Sequence, residues 1–244
     1  MPKLHDSIAL FSDVHGNVRA LEAVLGDIDE RGISRRYCLG DLVGYGPDPN
    51  GVIDLIDSRG ITSLLGNYDE GVGWETGDCG CFYPDAQAKR IGEASYAFTV
   101  AAVTPERKAF LRALPRELHV ALADKKIHLV HGSPRRINEY LLPDRDERTY
   151  LRLAQAEPED VLAFGHTHAA WSHRYAGTLF VNVGSAGRPK DGDTRAMYVV
   201  LRCATGEDVE VEIGRVEYDV DAAADDVLAA GLPPALAEML REGH

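Results

Sequence analysis

The chain has 244 residues and is 45% hydrophobic, enough to bury a sizeable core as one α/β domain spanning residues 1–244. Its 39 Asp and Glu outnumber 26 Lys and Arg, and the formal net charge of -13 argues against a nucleic-acid backbone as partner. The first residues, Met1-Pro2-Lys3-Leu4-His5-Asp6, lack the apolar core of a signal peptide, and no stretch has the apolar length of a membrane span, so a soluble, cytoplasmic protein is expected.

Ile8 to Phe11 is wholly apolar, as in a strand covered on both faces, and Asp13-Val14-His15-Gly16 follows as a turn. Asn17 then caps a helix in which Val18, Leu21, Leu25 and Ile28 recur at helical spacing until Gly32. A second strand through Tyr37-Cys38-Leu39 leads to Gly40-Asp41. The glycine- and proline-rich loop Gly44 to Pro49 precedes a helix with Val52, Ile53 and Ile56 that ends at Gly60. Ile61 to Leu65 reads as strand three and leads to Gly66-Asn67. The resulting β-α-β-α-β opening puts each polar candidate at a strand's carboxyl end, where open α/β sheets bind ligands.

Gly71 to Tyr83, with four glycines, is expected to form a mobile loop beside the site. Helices follow from Pro84 to Ala102 and from Thr104-Pro105 to near Pro115. Leu118, Val120 and Leu122, a turn at Asp124-Lys125, and Ile127 to Val130 form a hairpin that runs into His131. A polar loop carrying Arg135 and Arg136 leads to a helix over Glu147 to Ala156. The apolar run Val161 to Phe164 then precedes Gly165-His166-Thr167-His168. Side chains two apart in an extended segment face the same way, so His166 and His168 are expected to face one point. Two later antiparallel pairs, one turning at Ala176-Gly177 and one joining Met197–Leu201 to Val209–Val216, are expected to extend a second sheet. Helices near Asp221 to Ala230 and Pro234 to Leu240 close the chain. Glu207 to Asp226, with Arg215 the only basic residue, reads as a solvated acidic face. Cys38 lies in a buried strand and Cys79-Gly80-Cys81 lacks the second half of a zinc motif, so reduced thiols are expected.

Asp13-x-His15, Gly40-Asp41, Gly66-Asn67-Tyr68-Asp69, His131 and Gly165-His166-x-His168 stand in an order that resembles the calcineurin-like metallophosphoesterase superfamily, close to its small phosphodiesterase and dinucleoside polyphosphate hydrolase members. The chain departs at Tyr68, where many members carry histidine. The resemblance implies a four-layer α/β/β/α sandwich of two packed mixed sheets with a dinuclear metal site at their top. Residue by residue, it assigns Asp13, His15, Asp41 and His168 to one ion and Asp41, Asn67, His131 and His166 to the other, with Asp41 as the bridge. A mixed oxygen and nitrogen set without thiolate suits manganese, iron, zinc, cobalt or nickel.

The implied activity is hydrolysis of phosphodiesters or nucleotide phosphoanhydrides by a metal-bridging hydroxide, with Asp41, Asn67 and Tyr68 as catalytic residues. Asp69 would orient the residue at position 68. A small phosphoester or nucleotide is the expected substrate, with no membrane partner, and oligomeric state stays open. The alternatives are a phosphomonoesterase acting on proteins or small molecules, and a scaffold that keeps the fold without turnover; seven filled ligand positions weigh against the scaffold. Among Arg135, Arg136, Arg188 and Lys190, which follow strand ends, Arg135 and Arg188 are the candidates for binding phosphate oxygens. Ser185, in the loop Gly184 to Gly187, is a further candidate for orienting a ligand. Tyr45 and Trp74 offer stacking faces, and His5, His119, His128 and His173 read as structural.

Overall fold

A computed structural model describes residues 6–244, so His5 lies outside the described residues. The first half alternates β1(Asp6–Phe11), α1(Val18–Glu30), β2(Arg36–Cys38), α2(Pro49–Ser58), β3(Thr62–Ser63) and α3(Asn67–Trp74), then α4(Ala86–Ala102) and α5(Pro105–Ala113). The hairpin β4(Glu117–Leu122) and β5(Lys125–Val130) leads to α6(Glu147–Ala156), β6(Val161–Phe164), β7(Trp171–Tyr175) and β8(Thr178–Asn182). The chain ends with β9(Ala196–Cys203), β10(Glu210–Val216), α7(Val220–Ala229) and α8(Pro234–Glu242). None of these helices is long and apolar enough to cross a membrane.

Two five-stranded mixed sheets, ordered β10-β9-β1-β2-β3 and β4-β5-β6-β8-β7, pack face to face. The period of two along each strand separates the layers. Ile8 and Leu10 of β1, Ile127 and Leu129 of β5, and Leu179 and Val181 of β8 fill the space between the sheets. Their neighbours Ala9 and Phe11 face α1 and α2, while Leu162, Phe164 and Phe180 face α6. Helix, sheet, sheet and helix are therefore the four expected layers. Asn17 caps α1 as read, its side chain accepting from the Ala20 amide at 3.1 Å.

Three elements differ from the sequence reading. The β9–β10 hairpin joins the first sheet, because β9 pairs antiparallel with β1 from Asp6↔Cys203 to Leu10↔Val199; only β7–β8 extends the second sheet. The expected loop from Gly71 begins as a helix, since α3 runs through Trp74 despite Gly71 and Gly73. Its first turn is fixed by burial of Asn67, Tyr68 and Asp69 rather than by an apolar stripe. Strand three is also short, at two residues.

Candidate metal centre

Each candidate ligand lies within four residues past the end of a strand. Asp13 and His15 lie past β1, Asp41 past β2, and Asn67 past β3 as the first residue of α3; His131 follows β5, and His166 and His168 follow β6. β1, β2 and β3 are parallel in one sheet, and β5 and β6 are parallel in the other, so these carboxyl ends share one edge. All seven residues are buried, none more than 5% exposed.

The hydrogen bonds decide where the imidazole protons sit. Nδ1 of His15 lies 3.0 Å from the Val43 carbonyl, Nδ1 of His131 2.8 Å from Leu39 O, and Nδ1 of His168 2.7 Å from Arg188 O. A carbonyl only accepts, so each Nδ1 carries a hydrogen, and each ring in its neutral form turns an Nε2 lone pair inward. Those of His15 and His168 face each other at 3.1 Å, with Asp13 Oδ1 at 3.3 Å from the His168 nitrogen. Asp13 Oδ2 already accepts from the His166 amide, and Oδ1 has no donor.

The second cluster repeats this pattern. Asn67 donates Nδ2 to Cys79 O at 2.9 Å, so its Oδ1 is the atom that meets His131 Nε2 at 3.0 Å, acceptor against acceptor when the ring is neutral. His166 Nε2 is buried without a partner. Asp41 Oδ1 accepts from the Tyr68 amide, which leaves Oδ2 between the clusters, 3.8 Å from His15 Nε2 and 3.5 Å from His131 Nε2. Buried acceptors aimed at one another are costly unless a positive charge stands among them. The residues present therefore fit a cation at each of the two clusters.

Protons are a poor substitute on most of these rings. Burial pushes the His168 imidazolium down to about 3 and that of His166 to about 4, and lowers His15 as well. His131 is the exception: burial opposes its charge, but the Asp41 carboxylate outweighs it and lifts the ring to about 9. A third convergence, Glu117, His119 and His128 at the β4–β5 hairpin, is different in kind. There His128 has Glu157 at 2.8 Å on Nδ1 and Glu117 at 3.2 Å on Nε2, and His119 has Glu159 at 3.2 Å. Each imidazole there already faces a carboxylate of this chain, in keeping with a structural role.

Nine non-glycine residues among those described have positive φ, and five of them are Asp13, His15, Asp41, His166 and His168. Such backbone costs about 1–3 kcal/mol per residue and persists where surrounding contacts over-determine it. It also corrects the reading of His166 and His168. With φ of 66° and 63° they sit in a turn, not an extended strand, and their rings diverge to separate clusters.

Asp69 is more than a neighbour of position 68. Its buried carboxylate accepts from the amides of Asp41 at 2.8 Å, Leu42 at 2.9 Å, Val43 at 3.3 Å and Gly66 at 3.0 Å, tying the Asp41 loop to the start of α3. An acidic residue three positions after a helix-opening glycine is the sequence signal for such a clamp. Gly66 is required beside it, because a Cβ there would strike the Asp41 backbone and carboxylate. Asp69→Asn presents N–H to amides that need an acceptor. The expected result is a metal affinity lower by about 10- to 100-fold and a stability loss of about 1–3 kcal/mol, read by equilibrium dialysis and denaturant titration. Unchanged affinity would remove Asp69 from support of the centre.

Tyr68 is 1% exposed, packs edge-on against His15 at 5.5 Å, and lines the metal hollow with a hydroxyl that has no hydrogen-bond partner. Lys190 and Tyr140 line the same hollow. Arg188, 9% exposed, stands over the Tyr45 ring at 4.5 Å, and its Nε also lacks an acceptor. Arg135 lies in an adjoining groove, bound through Nε to Glu139 at 3.1 Å. Ser185 spends its hydroxyl on Asp13 O at 2.7 Å, and Trp74 is exposed in a separate groove. The expectation of reduced thiols fails at Cys79 and Cys81, which form a disulfide; Gly80, at φ 64°, turns the chain between them. Cys38 and Cys203 are free and buried.

Residues 7–206 match the model of the calcineurin-like phosphoesterase superfamily domain. An uncharacterized protein of Methanocaldococcus jannaschii is 33% identical over 97% of this chain and 98% of its own. The crystal structure of a metallophosphoesterase from Sphaerobacter thermophilus superposes with a TM-score of 0.77 at 28% identity, covering 98% of this chain and 99% of that one. A hypothetical protein from Pyrococcus horikoshii OT3 shares the fold at a TM-score of 0.83 and 23% identity, with 98% of each chain covered.

Proposed function

The chain belongs to the calcineurin-like phosphoesterase superfamily, and on that premise we propose that it is a two-metal hydrolase of phosphodiesters or nucleotide phosphoanhydrides. The observation that carries this reading is the pair of buried His and Asp clusters with Asp41 Oδ2 standing between His15 and His131. Asp13, His15, Asp41 and His168 would hold one ion, and Asp41, Asn67, His131 and His166 the other. Manganese, iron, zinc, cobalt and nickel all suit this donor set. Bound there, two cations supply a nucleophile from water at neutral pH and offset the charge that builds on the phosphoryl oxygens.

The protein's own groups do the rest. The carbonyls of Val43, Leu39 and Arg188 hold three imidazoles in one tautomer, which aims Nε2 inward and raises its basicity. Arg188, with an unmatched Nε, would bind a phosphoryl oxygen, and Lys190, whose ammonium burial pushes down to about 7, lines the metal hollow. Metal analysis with an assay on aryl phosphodiesters tests the reading. Stoichiometric metal with no hydrolysis under any of the five metals would instead support a non-catalytic scaffold.

Burial, and then the neighbouring phenols of Tyr45 and Tyr83, raise the Tyr68 hydroxyl well above its usual range. At neutral pH it therefore donates a hydrogen bond but transfers a proton poorly, so leaving-group help is weak. Esters with good leaving groups should be cleaved well and alkyl esters slowly. Tyr68→His is expected to raise rates on alkyl esters on the order of tenfold or more and on aryl esters much less. Equal changes across an aryl-to-alkyl series, with metal content unchanged, would place Tyr68 outside the chemistry.

A further inference from the structure

Beside the metal hollow lies a cavity of about 250 Å³ that shares His15 and Tyr45 with it. Its apolar walls come from Val18 at the start of α1, Pro47 before α2, and Val227, Leu236 and Leu240 of the α7–α8 hairpin. That hairpin lies beyond residue 206, where the family match ends, and closes the cavity over walls that residues 15–48 and Arg188 of the matched domain provide. Arg188 lines the cavity, and its backbone carbonyl accepts from Nδ1 of His168. Its Nη2 meets only the thioether of Met239, a weak acceptor, its Nε meets nothing, and its plane rests over Tyr45. The rim carries Glu22, Asp48 and Asp226 against Arg19, and Arg19 is already paired with Asp226 at 2.6 Å.

These features select a guest. Unmatched guanidinium donors call for an anionic oxygen, whereas the walls call for an apolar group, and the excess of rim carboxylates repels a second phosphate. A flat ring suits the Arg188–Tyr45 stack. We propose that the cavity takes the uncharged aromatic ester group of the substrate, an aryl or nucleoside moiety, while Arg188 holds an oxygen of the phosphoryl group it is attached to. This rests on the phosphoesterase reading and narrows it: the phosphorus attacked carries an aromatic ester beside it, as in a phosphodiester, rather than a further phosphate.

The test uses uncleavable probes on the full-length, manganese-loaded protein. Phenylphosphonate is expected to bind about tenfold or more tightly than methylphosphonate by calorimetry, the gain from burying one ring. Val18→Trp fills the cavity from a partly exposed position and should abolish that gap while leaving methylphosphonate binding as it was. Leu240→Ala enlarges the cavity and should shift the preference to 1-naphthylphosphonate, which keeps the test open should the first variant fold poorly. Equal binding of the phenyl and methyl probes, no binding of either, or a gap that survives Val18→Trp in folded protein overturns the proposal. Hydrolysis of aryl phosphodiesters is measured alongside. A gap without hydrolysis removes the catalytic reading alone, and hydrolysis without a gap removes the cavity assignment alone.

Discussion

Asp41→Asn is expected to lower turnover on the order of a thousandfold or more, the scale of removing a charge that stabilises a transition state, and to release at least one metal. The substitution keeps the shape of the side chain, and its remaining oxygen can still accept from the Tyr68 amide. In place of Oδ2 it puts an NH₂, whose hydrogens would point at His15 and His131, the two rings that Oδ2 now faces at 3.8 and 3.5 Å. Both sites then lose the only carboxylate they share. The fold should survive, because the backbone of this loop is held by Asp69 rather than by the Asp41 side chain. His131 gives a second readout. Its raised value depends on the Asp41 charge, so in metal-free Asp41→Asn its NMR titration should fall from about 9 toward the ordinary imidazole range. Near-normal turnover with two metals retained would take Asp41 out of the bridging position. The division between sites is tested in the same series: Asp13→Ala and His168→Ala should chiefly empty one site, and Asn67→Ala and His131→Ala the other, seen by anomalous scattering.

The residues at strand ends were legible because their strands are short, apolar and bounded, so that Asp13, Asp41, His131 and His166 each follow a recognisable element. Their partition into two clusters was not legible from spacing. It depends on left-handed backbone at His166 and His168, which sends neighbouring rings to different ions, and nothing in a His-x-His pattern announces that conformation. α3 escaped because its glycines hide any helical stripe, while a buried carboxylate three residues into the helix stabilises it through long-range bonds to the Asp41 loop. The placement of β9 depends on pairing with β1 across most of the chain, and a hairpin's own residues do not state which sheet edge it will join. Arg188 and Arg135 looked alike as loop arginines. One is buried with an idle donor, and the other is occupied by Glu139, a difference made entirely by tertiary neighbours.

Removing the metals is expected to lower the melting temperature by about 10 °C or more, since each ion held at a hundred times its dissociation constant contributes about 2.7 kcal/mol and each kcal/mol is worth about 2–4 °C in a chain of this length. The pH dependence of that difference is the sharper test. In chelator-treated protein, His166 and His168 titrate at about 4 and about 3, below the unfolded value of 6.5. The unfolded chain then takes up protons that the folded cluster refuses, so metal-free stability falls as pH drops below 6.5. His131 has the opposite sign. Raised to about 9, it contributes stability that is complete below 6.5 and is lost as pH rises through 9. A metal that binds His131 must displace the proton held there, so its affinity should rise about tenfold per pH unit up to 9. At fixed metal concentration, the gap in melting temperature between loaded and chelated protein should widen from pH 6.5 to 9, as read by differential scanning fluorimetry. A gap that stays constant over that range would mean that no proton leaves His131 when the ions bind, and His131 could not then be a ligand.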